Sequence, residues 1–135
     1  KLKVPEVFNL TAPSQPLVFA RVRDLESSEI NSVSYNTLRD VIVPVTQIIE
    51  GDDPSAPDFQ ILVDQEAVQK GARGVQTVYS FSIDDKEQTF NQTSLMSNDR
   101  TTMYIFVVRC TTECYAKNKK KIEEIVSSFT VEGAR

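Results

Sequence analysis

Cys110 and Cys114 are the only thiols in the 135-residue chain, and three residues separate them. They straddle an expected strand-to-helix turn. A turn can bring two α-carbons within the roughly 4.4 to 6.8 Å that a disulfide requires, which one continuous helix or strand does less readily. Closing so short a loop contributes only about 2 kcal/mol in the chain-entropy treatment, so a redox role stands beside the structural one. Cys114 would lie in the first helical turn with Lys117 nearby, a setting that favours thiolate. Three readings stay open: a structural bond, a regulatory bond, or two inert thiols. The spacing departs from the thioredoxin-like C-x-x-C and no βαβ pattern precedes it, so a switch acting on this protein fits better than a catalyst acting on others. Two cysteines without histidine imply no metal site.

Lys117, Lys119, Lys120 and Lys121 are concentrated in a chain whose net charge is -4. Lysines early in a helix oppose its dipole. Glu123 and Glu124 follow Lys119 and Lys120 at the four-residue spacing, but in the less favourable order. One reading is a solvated helix face, and the other is a salt-sensitive docking patch for an acidic protein surface. The acidic pairs Asp52 with Asp53 and Asp84 with Asp85 fall in turns. They could hold calcium through oxygen ligands but lack the spaced ligands of a loop motif, so turn chemistry explains them better. Asn9-Leu-Thr11 and Asn91-Gln-Thr93 match glycosylation sequons. The chain contains no histidine, which removes Ser-His and Cys-His catalysis and His-ligated metals. The acidic balance argues against nucleic acid as a partner.

These residues sit in a chain of one-domain size, expected as a single domain over 1–135. Its 40% hydrophobic and 25% charged residues are the composition of a globular domain. No apolar run approaches the roughly 20 residues of a membrane span. The first residues lack the long apolar core of a targeting peptide, so any transit sequence would already have been removed. Met103 to Val108 read as a buried strand. Thr111 is the expected N-cap of a following helix, with Glu113 in its first turn. Ile122, Ile125, Val126 and Phe129 then fall on one helix face, with Lys117, Lys121, Glu124 and Ser128 opposite. Thr130 and Val131 suggest a short closing strand or extended tail.

Upstream, Lys1 to Phe8 could form an edge strand, and Leu17 to Arg23 alternate as a half-buried strand does. Ser32 to Tyr35 suggest a second short strand and hence a hairpin. Asn36 to Glu50 combines helical spacing with a β-branched run and Pro44: either Pro44 sits in the first turn of a short helix running to Glu50 after an extended Val41 to Val43, or the whole segment is a kinked helix, and the reading favours helix over most of it. Gly51 to Pro57 is a loop. Strands are expected from Phe59 to about Glu66, over Val75 to Ile83 with Val75, Thr77, Tyr79, Phe81 and Ile83 on one face, and over Gln88 to Met96. With the Met103 strand they make an antiparallel meander in an α+β domain.

A family resemblance rests on the strand MYIF, the turn Thr111, Thr112, Glu113, the aromatic Tyr115, and the closing string Ile125 to Val131. Gly74 to Ile83 (GVQTVYSFSI) and Leu2 to Phe8 (LKVPEVF) fit the same register. Together they resemble the PsbP-type domain of thylakoid lumen proteins. The lack of Trp departs from that pattern, with Phe8 and Tyr115 standing in. The resemblance implies an antiparallel sheet with helices on both faces, an α-β-α sandwich of PsbP/Mog type. It further implies a non-catalytic accessory or assembly factor of the chloroplast thylakoid lumen that binds photosystem polypeptides, foremost those of photosystem II, without a cofactor. The alternatives are a redox-responsive lumenal protein regulated through Cys110 and Cys114 by a thioredoxin-like reductant, and a Ran-type GTPase-binding domain of Mog type.

Overall fold

The structure is a computed structural model that describes residues 14–42, 45–46, 59–83 and 85–131. A five-stranded antiparallel sheet organises it, with strands β1 (Leu17–Asp24), β2 (Gln60–Gln69), β3 (Ala72–Ile83), β4 (Lys86–Ser97) and β5 (Thr102–Thr111). Their spatial order is β1-β5-β4-β3-β2, so the last four form the expected meander and β1 closes on β5. The helices whose bounds fall within the described residues are α1 (Tyr35–Arg39), α2 (Thr112–Lys117) and α3 (Lys119–Ser128), with a 3-10 turn at Ile30–Ser32. The domain is α+β.

Tight turns set the register. Gly71 joins β2 to β3 at a φ of 84°, in the left-handed region that glycine enters without steric cost. Asp85 (φ 65°) and Arg100 (φ 63°) serve the next two turns. At the last, the Asp99 carboxylate accepts from the Ser97 hydroxyl at 2.7 Å and from the Thr101 amide at 3.1 Å. Gly74 answers a different demand: a Cβ there would lie 1.9 Å from the carbonyl oxygen of Ser94 on β4. Only glycine lets the two strands approach so closely.

Strand alternation divides the core into two clusters. In the first, Met103, Ile105 and Val107 of β5 pack with Val75, Tyr79, Phe81, Phe90, Leu25 and Leu38. Phe59, Tyr79, Phe81 and Phe90 stack with ring centroids 5.1 to 6.2 Å apart. Gln92, fully buried, donates to the Arg39 carbonyl at the end of α1 at 2.9 Å while accepting from the Tyr79 hydroxyl at 2.9 Å. A helix end left without such a partner would strand its carbonyls. In the second cluster, Phe106, Val108 and Cys110 pack with Val78, Cys114, Tyr115 and Ile122, joined by Ile125, Val126 and Phe129.

Several expectations need correction. Ser32 to Tyr35 form no strand: Ser34 caps α1 through a reciprocal capping box with Thr37, and the partner of β1 is β5. The helix expected over most of Asn36 to Glu50 is interrupted: α1 stops at Arg39, with Asp40 as its cap, Val45 and Thr46 are again helical, and residues 43–44 and 47–50 lie outside the described residues. β1 forms as a strand but without the expected half-buried alternation: it is an edge strand in which only Phe19 is half-buried, and Val18 and Val22 are exposed. β2 runs on to Gln69, and β3 and β4 begin three and two residues earlier than expected. The C-terminal helix is split, because Asn118 (φ -113°) ends α2 and precedes α3. Of the two readings for Thr130 and Val131, the closing strand does not form and the tail does. The tail is extended and pinned by Gln69, which donates to the Phe129 carbonyl at 2.7 Å and accepts from the Val131 amide at 3.0 Å. The readings for Lys1 to Phe8, Gly51 to Pro57, Asn9-Leu-Thr11, and the carboxylates of Asp52, Asp53 and Asp84 lie outside the described residues. Among those residues, no helix is long and apolar enough to cross a membrane.

Candidate functional site

The turn from β5 into α2 is built as the sequence suggested. The Thr111 hydroxyl caps the helix by accepting from the Cys114 amide at 3.1 Å, and Glu113 lies in the first turn. Cys110 and Cys114 are disulfide-bonded, with α-carbons 5.9 Å apart. Both are buried at 0% and 4% exposure, which shields the bond from a bulky reductant. Asn118 completes the turn. Its side chain donates to the Cys114 carbonyl at 2.9 Å and its backbone amide to the same oxygen at 3.0 Å.

Lys117, Lys119, Lys120 and Lys121 are all exposed around the α2–α3 break. Lys117 pairs with Glu113 at 3.2 Å across one helical turn, with the glutamate first, which is the favourable order. Both partners are strongly solvated, so the pair contributes little. Among the described residues, no ion pair forms at Lys119, Lys120 or Lys121. All three side chains are exposed, and Lys119 also borders the cleft beside them.

Beside the lysines runs a cleft that the sequence reading missed. It lies between β2–β3 and the helices α2–α3, in two adjoining lobes of about 500 and 550 Å³. Leu62, Val63, Val78, Tyr115, Ala116 and Lys119 are among the lining of the first lobe. Ala67, Gln69, Thr93, Val126 and Phe129 line the second, and Gln65, Gln76 and Glu123 belong to both. A ladder of carboxamides crosses the floor. Gln65 donates to Gln76 at 2.7 Å, Gln76 to Asn91 at 3.0 Å, and Asn91 to the Tyr115 hydroxyl at 3.2 Å. Burial pushes the Tyr115 phenol pKa up, the Asn91 hydrogen bond acts the other way, and the nearby Glu123 carboxylate raises it further. The Thr93 hydroxyl, on a residue 5% exposed, has no hydrogen-bond partner.

One signal for this cleft was present in the sequence. Thr89, Asn91 and Thr93 occupy alternate positions of β4 and, by strand pairing, share a face with Gln76 and Val78. Read along one strand they look solvent-facing, yet all three are buried. That burial also closes the Asn91 sequon to a glycan in the folded chain. Asp85 is an exposed turn residue, as turn chemistry implied.

No protein-family model matches the sequence, and no curated protein matches it. Among solved structures, the chain is similar to PA94 of Pseudomonas aeruginosa, a protein of unknown function described as a candidate regulator, with a TM-score of 0.56 over 97% of each chain at 10% identity. That likeness is one of fold alone. It says that this chain and PA94 share an architecture along nearly their whole lengths, and it carries no chemistry across.

Proposed function

We propose that this is a non-catalytic polypeptide-binding module that docks an acidic partner surface on its lysine face. The observation that carries the reading is the placement of Lys119, Lys120 and Lys121, three solvated cations in succession on an acidic chain, with no carboxylate partner among the described residues. At an ionic strength of 0.1 M, charges act over about 10 Å, enough to steer an approaching acidic surface. The PsbP resemblance makes photosystem polypeptides the partner class and the thylakoid lumen the compartment. It also makes the layering an α-β-α sandwich, a reading supported by Leu38 of α1 packing in one core cluster and Tyr115 and Ile122 of α2 and α3 in the other.

The test is charge reversal at Lys119, Lys120 and Lys121 together, scored by association with thylakoid membrane complexes. The reading expects association to fall at least tenfold while the thermal melt is unchanged. Unaltered association would refute it.

A second reading has its own observation. The buried Cys110–Cys114 bond lies directly before Tyr115 and Ala116, which line the cleft, so a dithiol reductant that opened it would loosen one cleft wall. The midpoint potential tests this: a value near that of thioredoxin, about -270 mV, allows cycling, and one well below about -300 mV marks a structural bond.

A further inference from the structure

We infer that the cleft between β2–β3 and α2–α3 is a second, separate part of the interface, and that it takes an extended, uncharged peptide segment of the partner. This rests on the docking reading above and names the partner's chemistry at the adjoining surface.

Three observations fix the occupant. First, the length fits. The cleft follows β2 from Leu62 to Gln69, and at about 3.3 Å per residue an extended strand of six or seven residues would fill it. Second, the floor is polar but uncharged. The carboxamides of Gln65, Gln76 and Asn91 present the same donor and acceptor groups as a peptide backbone. The charged residues of the lining are Lys119 in the first lobe, Glu66 in the second and Glu123 in both; the Glu66 carboxylate is already engaged by the Tyr35 hydroxyl, which leaves Lys119 and Glu123, of opposite sign. A charged segment would meet no net counter-charge there, whereas backbone amides can extend the ladder. Third, the Thr93 hydroxyl lies under the second lobe with its hydrogen-bonding capacity unused. A buried hydroxyl without a partner carries a desolvation cost that a ligand group can relieve.

The two ends of the cleft add specificity. At one, Leu62, Val63 and Val78 form an apolar seat, with Leu62 and Val63 exposed at 53% and 38%. Leu62 sits where the β2–β3 register shifts between Ile61 and Val63. At the same end Lys119 joins the cleft to the lysine face. The bound segment would therefore carry an apolar side chain at this end and be preceded by acidic residues resting on the lysines. In the second lobe Val126 and Phe129 offer a further apolar contact, and Phe129 is held in place by stacking on Phe106 at 4.5 Å.

The experiment titrates the protein with a pool of acetylated, amidated octapeptides, each with two acidic residues followed by six drawn from Val, Ala, Gln and Thr. A second pool replaces the acidic pair by Ser. Amide resonances and fluorescence anisotropy are followed. We expect the acidic pool to bind and to shift the resonances of Gln65, Gln76 and Thr93. Thr93→Val is nearly isosteric and removes the orphan hydroxyl, so its melt should be unchanged or raised. Its affinity for the pool should fall about fivefold to tenfold, the value of one hydrogen bond. Gln76→Leu should weaken binding similarly, and Lys86→Ala, at the far end of β4, should not. Absence of binding by either pool, or wild-type affinity in a folded Thr93→Val protein, overturns the inference. Equal binding of the two pools, with Thr93→Val still defective, upholds the cleft and refutes the lysine docking reading alone.

Discussion

Reduction of the Cys110–Cys114 bond should lower the stability of the fold by an amount that the chain itself sets. The bond closes a loop of five residues, since the cysteines are four apart in sequence. Chain entropy for a loop of that size amounts to about 7 cal/mol/K, or about 2 kcal/mol at 25 °C. Unfolding entropy for a 135-residue chain is about 0.28 kcal/mol/K, so the melting temperature should drop by about 7 °C. The loss should be felt locally first. Cys114 lies in the first turn of α2, and its carbonyl accepts from both the backbone and the side chain of Asn118. The assay is a pair of urea titrations, with and without a small-molecule reductant, on a sample whose thiol state is verified by alkylation and mass. The double variant Cys110→Ser, Cys114→Ser controls for the reductant and should fall at least as far, because it also buries two hydroxyls. Identical midpoints for the oxidised and fully reduced protein would refute the reasoning. They would mean that the capped turn of Thr111 and Asn118 holds α2 without the bond.

Other outcomes follow from the core. Gly74→Ala places a methyl group 1.9 Å from the Ser94 carbonyl oxygen, so β3 and β4 must separate. A cost of about 1 to 3 kcal/mol is expected in chemical denaturation, and a neutral result would show that the strands are not so close. Tyr79→Phe strands the Gln92 carbonyl oxygen in the core and should cost about 1 to 3 kcal/mol at neutral pH. Burial raises the pKa of both Tyr79 and Tyr115 above the ordinary tyrosine value of 10. The unfolded chain then loses these protons first, so stability should hold up to about pH 10 and fall above it. Urea midpoints measured from pH 7 to 11 check this, and Tyr79→Phe should make the alkaline fall shallower.

What the sequence revealed was whatever could be read along one element at a time. Val75, Tyr79 and Phe81 announced their common face by strict alternation, and Thr111 with Glu113 announced the start of α2. Neither signal needs a neighbour to be understood. What stayed hidden depends on pairing between distant segments. Ser32 to Tyr35 looked like a strand because Val33 and Tyr35 favour one, but Ser34 captures the Thr37 amide and starts a helix instead. Helix α1 could end at Arg39 because Gln92, more than fifty positions away, takes its last carbonyls. The cleft, signalled only by Thr89, Asn91 and Thr93 at alternate positions of β4, stayed hidden for the same reason. Gln65, Gln76, Asn91 and Tyr115 come from three strands and a helix, and only the sheet register places them in one ladder. The lysine run was plain in the sequence, whereas its position at the mouth of that cleft was not.

The most direct test of the central claim is the salt dependence of binding by the unmodified protein. Its affinity for solubilised photosystem complexes would be measured by surface immobilisation between about 0.05 and 0.3 M monovalent salt, over which the screening length shortens from more than 10 Å to less than 8 Å. Docking through Lys119, Lys120 and Lys121 predicts measurable binding at the lowest salt that weakens steadily as salt rises. Binding that is absent at low salt, or present and unchanged across the series, would contradict the account.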